Sequence, residues 1–287
     1  MNQPIKLIEC PRDAMQGWKE FIATERKVEY LNTLLQVGFD TLDCGSFVSP
    51  KAIPQMADTA TVLSKLDLSG SSTKLLTIVA NERGAVEAVA FEQISYLGFP
   101  FSVSETFQLR NTKSTVAESL DRVAGIQNLC VKSGKKLVVY ISMGFGNPYG
   151  DPYSPELVFD WVDKLVAMDI GIISLADTVG LATPEQVASI TEYLVKALPG
   201  TEIGVHLHSA PFNQQPKLEA ALGAGCLRFD GALKGIGGCP MANDDLVGNM
   251  NTEWMIAYFD QLNRGPNLNN DALQEAGRLA DLIFAGH

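Results

Sequence analysis

The sequence predicts an α/β fold, a (β/α)8 TIM barrel in which a parallel eight-stranded barrel is wrapped by helices, and three observations carry that prediction. Eight short apolar runs can be picked out along the chain, the number that closes such a barrel. Each run is continuously apolar, not alternating, as strands covered on both faces are. Between them lie stretches with apolar residues recurring at three and four, the spacing of amphipathic helices. An open doubly wound sheet would use fewer strands and carry a glycine-rich loop after the first, where this chain has ECPRDAMQG.

The first strand is read at Ile5 to Cys10, followed by the helical stretch TERKVEYLNTLLQVG, which Gly38 stops. Strands are read next at Phe39 to Cys44, Thr73 to Ala80, Gln93 to Phe99 and Lys136 to Ser142. TVAESLDRVAGIQNLCVKSG, between the fourth and fifth, is a helix ending on Gly134. Ile170 to Ala176 is the sixth strand, and TPEQVASITEYLVKALPG after it opens with the Thr-Pro-Glu chemistry of a helix start. Glu202 to His208 and Cys226 to Leu233 complete the set. No linker-like tract interrupts the 287 residues, and barrels commonly use about 250 for one domain. A single catalytic domain over 1–287 is expected, with the helices after about 250 packing on the barrel.

The formal net charge of −11 argues against nucleic acid or an anionic membrane surface as partner, since both call for a basic footprint. No apolar run is long enough to span a bilayer. MNQPIKLIEC moves directly into a strand, without the pattern of a signal or transit peptide, and a cytoplasmic location is expected. Cys10, Cys44, Cys130, Cys226 and Cys239 are odd in number and scattered, which fits reduced thiols.

A barrel does its chemistry at the carboxyl ends of its strands. Arg12 and Asp13 follow the first strand, Asp43, Cys44 and Ser46 end the second, and Asp177 and Thr178 end the sixth. His206 and His208 end the seventh, and the eighth runs into KGIGGCPMANDDLVGN. Residues two apart on a strand point to the same side, so both imidazoles face the barrel mouth while Leu207 turns toward the helices. Two imidazoles on one face make half of a metal site, although such a pair is also found simply hydrogen-bonded. Asp13 is the chosen third ligand, and an Asn or Asp oxygen from the last loop the fourth. Two nitrogens and two oxygens favour Mg²⁺ or Mn²⁺, with Zn²⁺ or Co²⁺ as alternatives. Arg12 either forms a structural ion pair or stabilises an oxyanion beside the metal. Cys239, on a glycine-rich loop, is a candidate for proton transfer, whereas Cys10 and Cys44 read as core.

Together, CPRDAMQ, SFVSPKAIPQMAD (Ser46 to Asp58), ISLADTVGLATP (Ile173 to Pro184), VHLH and GIGGCP (Gly235 to Pro240) resemble the 3-hydroxy-3-methylglutaryl-CoA lyase family, within the metal-dependent barrel lyases and Claisen-type synthases. The likeness spans nearly the whole chain. It implies Asp13, His206, His208 and Asn249 as metal ligands, with Asn243 also eligible as the fourth. It implies Arg12 as the arginine that stabilises the enolate oxygen and Cys239 as the mobile-loop cysteine. Asp43 and Asp177 are implied in the catalytic set, and Gln16, Lys19, Ser46 and Thr178 as substrate-binding. Three departures stand out. Asp43 replaces a Glu, Ser209 to Phe212 replace Asp-Thr-Tyr-Gly after the second histidine, and Lys234 replaces a small apolar residue.

The implied reaction is cleavage of 3-hydroxy-3-methylglutaryl-CoA to acetyl-CoA and acetoacetate, with a divalent cation acidifying the substrate's tertiary hydroxyl. The base is left open among water at the metal and nearby His or Asp groups. Arg12 would steady the enolate, and Cys239 would deliver a proton to the acetyl-CoA carbon. Lys19, Lys51 or Arg110 would hold the CoA tail. The family often pairs, which implies a homodimer. The departures leave open a related lyase or aldolase acting on another 3-hydroxyacyl-CoA or hydroxy-oxo acid, and a catalytically silent barrel.

Overall fold

The computed structural model describes residues 4–238 and 247–285. In chain order its elements are β1 (Lys6–Glu9), α1 (Pro11–Gln16), α2 (Thr24–Val37), β2 (Thr41–Ser46), α3 (Thr59–Ser64), β3 (Lys74–Ile78), α4 (Glu82–Val89) and β4 (Ile94–Ser102). There follow α5 (Glu105–Thr112), α6 (Val116–Lys132), β5 (Lys136–Ser142), α7 (Pro155–Val166), β6 (Ile172–Asp177), α8 (Pro184–Ala197) and β7 (Glu202–Leu207). The last are α9 (Gln214–Gly223), β8 (Arg228–Gly231), α10 (Thr252–Gln261) and α11 (Asn270–Ile283). The strands form a closed barrel in sequence order, and β8 closes on β1 in parallel, Lys6 opposite Arg228. Each strand falls where an apolar run was read. Several boundaries shift by a few residues, among them β2, which runs on to Ser46, and β8, which shortens to Arg228–Gly231; β4 continues past Phe99 because Pro100 keeps its place in the ladder opposite Tyr140. Cys10 has left β1 and caps α1.

The expected helix ends are made by local chemistry. Thr115 and Thr183 each accept from the backbone three residues on, while Glu118 and Gln186 reach back to close reciprocal capping boxes. Gly38 ends α2 in the left-handed region.

Strand alternation sorts side chains into two cores. Leu76, Ile78, Tyr96, Val138, Tyr140 and Ile172 fill the barrel interior. Their sequence neighbours Leu75, Leu97, Leu137, Val139 and Ile173 face outward and pack under the helices. Each such apolar side chain contributes roughly 1.5–3 kcal/mol on burial. Gly98 makes the interior fit: a Cβ there would lie 2.5 Å from Ile78 Cδ1 and 3.1 Å from the Tyr140 ring. A register shift between Asp43 and Gly45 in the β2–β3 pairing bends the end of β2. The extra residue allows Asp43 and Ser46, an odd number apart, both to turn inward while Cys44 stays under the helices.

Among the described residues no helix is long and apolar enough to cross a membrane. Lys234 points away from the barrel mouth and pairs with Asp281 at 3.1 Å and Glu253 at 3.6 Å on the surface.

Candidate metal centre and active site

At the carboxyl end of the barrel lies a cavity of about 300 Å³. Arg12, Asp13, Gln16, Ser46, Thr178, His206 and His208 all line it. Candidate ligand atoms of Asp13, His206 and His208 lie within 4.8 Å of one another, and all three residues are buried. The two imidazole centroids are 5.3 Å apart, and Leu207 between them joins the outer core.

Pairing after β7 brings up a fourth ligand. His208 bridges Asn249 in antiparallel fashion, with the Ser209 amide donating to the Gly248 carbonyl and the Met250 amide to Leu207. Asn249 therefore stands beside His208 although 41 residues separate them. Its Nδ2 donates to Asp13 Oδ2 at 2.7 Å and to the Ile236 carbonyl at 2.9 Å. Both amide hydrogens are committed, so the carbonyl oxygen is the atom left to ligate. Asn243 and Cys239 lie outside the described residues.

The donor set suits a divalent cation. His206 Nδ1 is 3.2 Å from Asp230 Oδ2, and Nε2 has no hydrogen bond among the described residues, the carboxylate–histidine arrangement that orients a ligand ring. Among the described residues His208 Nδ1 is buried with no hydrogen-bond partner. Asp13 is already polarised. Burial would raise its pKa, but Arg12 and then the two histidines outweigh burial and hold it at about 2. Burial, reinforced by His206, pushes His208 down to about 4, keeping it neutral as a ligand must be. Burial also opposes charge on His206, yet its hydrogen bond to Asp230 and that carboxylate's charge prevail and raise its pKa.

Arg12 is clamped on both sides. Its Nε and Nη2 reach Asp43 Oδ2 and its Nη1 reaches Asp13 Oδ1 at 3.1 Å. The structural ion pair read as one alternative is thus formed, and two of the five guanidinium N–H groups have no partner among the described residues. The shorter Asp43 does reach Arg12, but it does not line the cavity. Gln16 donates to Asp13 Oδ1 at 2.7 Å. Ser46 Oγ accepts from the Val48 amide and Thr178 Oγ1 from Met143, leaving each O–H to donate toward the cavity.

Asp177 is placed elsewhere. It is absent from the cavity wall, with Oδ2 2.7 Å from Lys217 Nζ and Oδ1 accepting from the Ala182 amide. Lys19 is exposed outside the cavity, and Lys51 is likewise absent from its wall, while Arg110 lines the far end together with Lys113. Sequence reasoning missed Asp230, Lys217 and the cavity residue Tyr140, whose ring meets His206 edge-on at 5.8 Å. Asp230 carried a signal, a carboxylate near the end of the eighth strand and directly opposite His206 in the β7–β8 register.

Comparison with known proteins places this site in context. The HMGL-like family model matches residues 5–280. Hydroxymethylglutaryl-CoA lyase, mitochondrial, of Mus musculus is 32% identical over 281 residues, 96% of this chain and 85% of the relative. (R)-citramalyl-CoA lyase of Chloroflexus aurantiacus is 31% identical, covering 88% of this chain and 82% of its own. A solved HMG-CoA lyase from Acinetobacter baumannii, in complex with coenzyme A and 3-methylmalate, superposes with a TM-score of 0.90 at 29% identity over 98% of this chain and 91% of that one. With a barrel of the expected topology and a family match from β1 into α11, the chain belongs to the HMGL-like family.

Proposed function

We propose that this protein is a divalent-metal-dependent carbon–carbon lyase that cleaves 3-hydroxy-3-methylglutaryl-CoA to acetyl-CoA and acetoacetate. The observation that carries the reading is the convergence of Asp13, His206, His208 and Asn249 beside the Arg12 guanidinium in one cavity. The relatives named as lyases of this substrate, and the coenzyme A in the Acinetobacter structure, support it.

Asp13, His206, His208 and Asn249 would hold a Mg²⁺ or Mn²⁺, whose Lewis acidity would ease loss of the substrate's hydroxyl proton to water or to a nearby His or Asp group. The chain's own groups do the rest. Ser46 and Thr178 each offer a hydroxyl to the acyl group. Gln16 and Asn249 fix Asp13 through separate oxygens. Cleavage moves an electron pair onto the thioester oxygen, and the two remaining N–H groups of Arg12 receive that charge, a preorganised donation worth roughly 3 kcal/mol of barrier. Cys239 keeps the role of returning a proton to the acetyl-CoA carbon. Arg110 and Lys113, on the cavity wall, are the cations for the CoA phosphates, in place of Lys19 and Lys51. Asp177 acts from behind the wall, through Lys217. A cytoplasmic homodimer belongs to the same reading, by analogy with the family.

The test is acetoacetate release from 3-hydroxy-3-methylglutaryl-CoA with Mg²⁺, lost in EDTA and restored by added metal; absence of acetoacetate from the metal-loaded enzyme would overturn the assignment. A second reading, a lyase for another 3-hydroxyacyl-CoA, is favoured by Asp43 and by the citramalyl-CoA lyase relative. A kcat/KM higher for citramalyl-CoA than for 3-hydroxy-3-methylglutaryl-CoA would select it.

A further inference from the structure

Lys217 lies on α9, in a stretch, QPKLEAAL, that reads as a surface helix. Its side chain is nonetheless buried, a setting lysine almost never occupies unless paired. The ammonium is fully satisfied by three acceptors: Asp177 Oδ2 at 2.7 Å, the His208 carbonyl at 3.0 Å and the Gly180 carbonyl at 3.1 Å. An ammonium has three N–H donors, so none is left over. Neutralising Asp177 would take only the first contact. The other two join the end of β7, at a candidate metal ligand, to the loop after β6. The segment following His208 (Ser209, Ala210, Pro211 and Phe212) offers no carboxylate or cation of its own for that task.

We infer that Lys217 is a positioning residue for the metal centre, setting the peptide plane from which the His208 side chain projects and holding Asp177 out of the cavity. The inference rests on the metal site proposed above. A ligand whose backbone can rock loses its register with Asp13 and His206, and loss of such an outer partner typically weakens metal binding about 10–100-fold.

The test compares Asp177→Asn, whose amide oxygen still accepts from Lys217 Nζ but which leaves that buried ammonium without its counter-ion, with Asp177→Asn/Lys217→Met, at a temperature where thermal unfolding shows both to be folded. The double variant removes the buried ion pair as a unit, so no uncompensated charge is left to unfold the protein. Mn²⁺ binding to the apo-protein is read by calorimetry or electron paramagnetic resonance, beside apo-protein thermal unfolding. The expected result is a double variant that melts near the wild type but binds Mn²⁺ at least about 10-fold more weakly than Asp177→Asn. A double variant matching Asp177→Asn in Mn²⁺ affinity would overturn the inference, because Lys217 would then serve folding alone. Should the double variant not fold, Lys217→Arg decides: it keeps the charge but cannot aim three N–H groups from one atom, and wild-type Mn²⁺ affinity in it would equally overturn the inference. A wild-type protein that binds no Mn²⁺ is a different failure, since it removes the metal site and this inference with it.

Discussion

Asp43 and Arg12 meet at a single carboxylate oxygen: Oδ2 accepts from both Nε and Nη2, at 3.0 and 2.5 Å, while Oδ1 is buried with no partner among the described residues. The pair shares its guanidinium with Asp13, so one cation serves two buried carboxylates. Burial drives the Asp43 pKa up to about 6 even against the pull of Arg12. The arginine thus carries structure and chemistry together, and the two can be separated.

Arg12→Gln is expected to lower kcat by about 10²–10³-fold, the loss typical of one oxyanion donor. It should also cost about 3–5 kcal/mol of stability, because the carboxylates lose their common cation. Arg12→Gln/Asp43→Asn should recover much of the stability and none of the kcat. Urea unfolding beside steady-state kinetics checks this; stability and kcat returning together would remove Arg12 from the oxyanion role.

His206→Ala deletes a ligand and the partner of Asp230 at once. Mn²⁺ binding and acetoacetate release should both be lost. Metal at about 100 times its Kd should stabilise the wild-type fold by about 2.7 kcal/mol, and EDTA should reverse that shift. A His206→Ala protein whose Tm still rises with Mn²⁺ would exclude this ligand set.

Glu9 tests the scaffold under the site. Its carboxyl is buried, accepting from the Leu233 amide at 2.8 Å and from Thr252 Oγ1 at 2.6 Å, and so ties β1 to both ends of the segment that carries Asn249. Burial raises its pKa from 4.5 to about 8. A folded-state pKa above the unfolded one means the folded protein holds a proton that the unfolded chain releases. The associated stability is present in full below pH 4.5, declines between 4.5 and about 8, and is lost above that. Glu9→Gln mimics the protonated form. Its Tm should match the wild type near pH 5 and exceed it at pH 9, where a wild type equal to or more stable than the variant would contradict the assignment.

The parts of this molecule legible in its sequence are those set by short-range periodicity. The strands show as continuous apolar runs because helices cover one face and the barrel interior the other. His206 and His208 show as a pair because a strand repeats every two residues. The same rule, applied to Ile172, Ser174 and Ala176, would have turned Asp177 outward; proximity to the strand end concealed this. Lys19 follows the RD motif closely, but the chain leaves the barrel mouth at the end of α1. The rest depends on closure. Lys217 looks like any surface lysine until β6 and β7 lie side by side, and the bulge that aims both Asp43 and Ser46 inward exists only against β3.

Gly237, within GIGGCP, shows what a sequence motif means once the site is assembled. Its φ is +116°, a region that side chains avoid at a cost of about 1–3 kcal/mol. A Cβ there would lie 2.4 Å from Asn249 Nδ2 and 3.0 Å from Asp13 Oδ2. Those two atoms form the hydrogen bond that sets two of the four ligands, so the methyl group of Gly237→Ala would wedge between them. Neither neighbour can yield freely, since Asn249 is also bonded to Ile236 and Asp13 to Arg12 and Gln16. The expected outcome is a folded protein whose Mn²⁺ Kd rises about 10–100-fold, with kcat falling alongside. Gly17→Ala is the control, because Gly17 directly follows the cavity residue Gln16 but lies at φ −91° and with nothing among the described residues within 4 Å of the added methyl. It should bind Mn²⁺ as the wild type does, and if Gly237→Ala does so too, the ligand geometry drawn here for Asp13 and Asn249 is wrong.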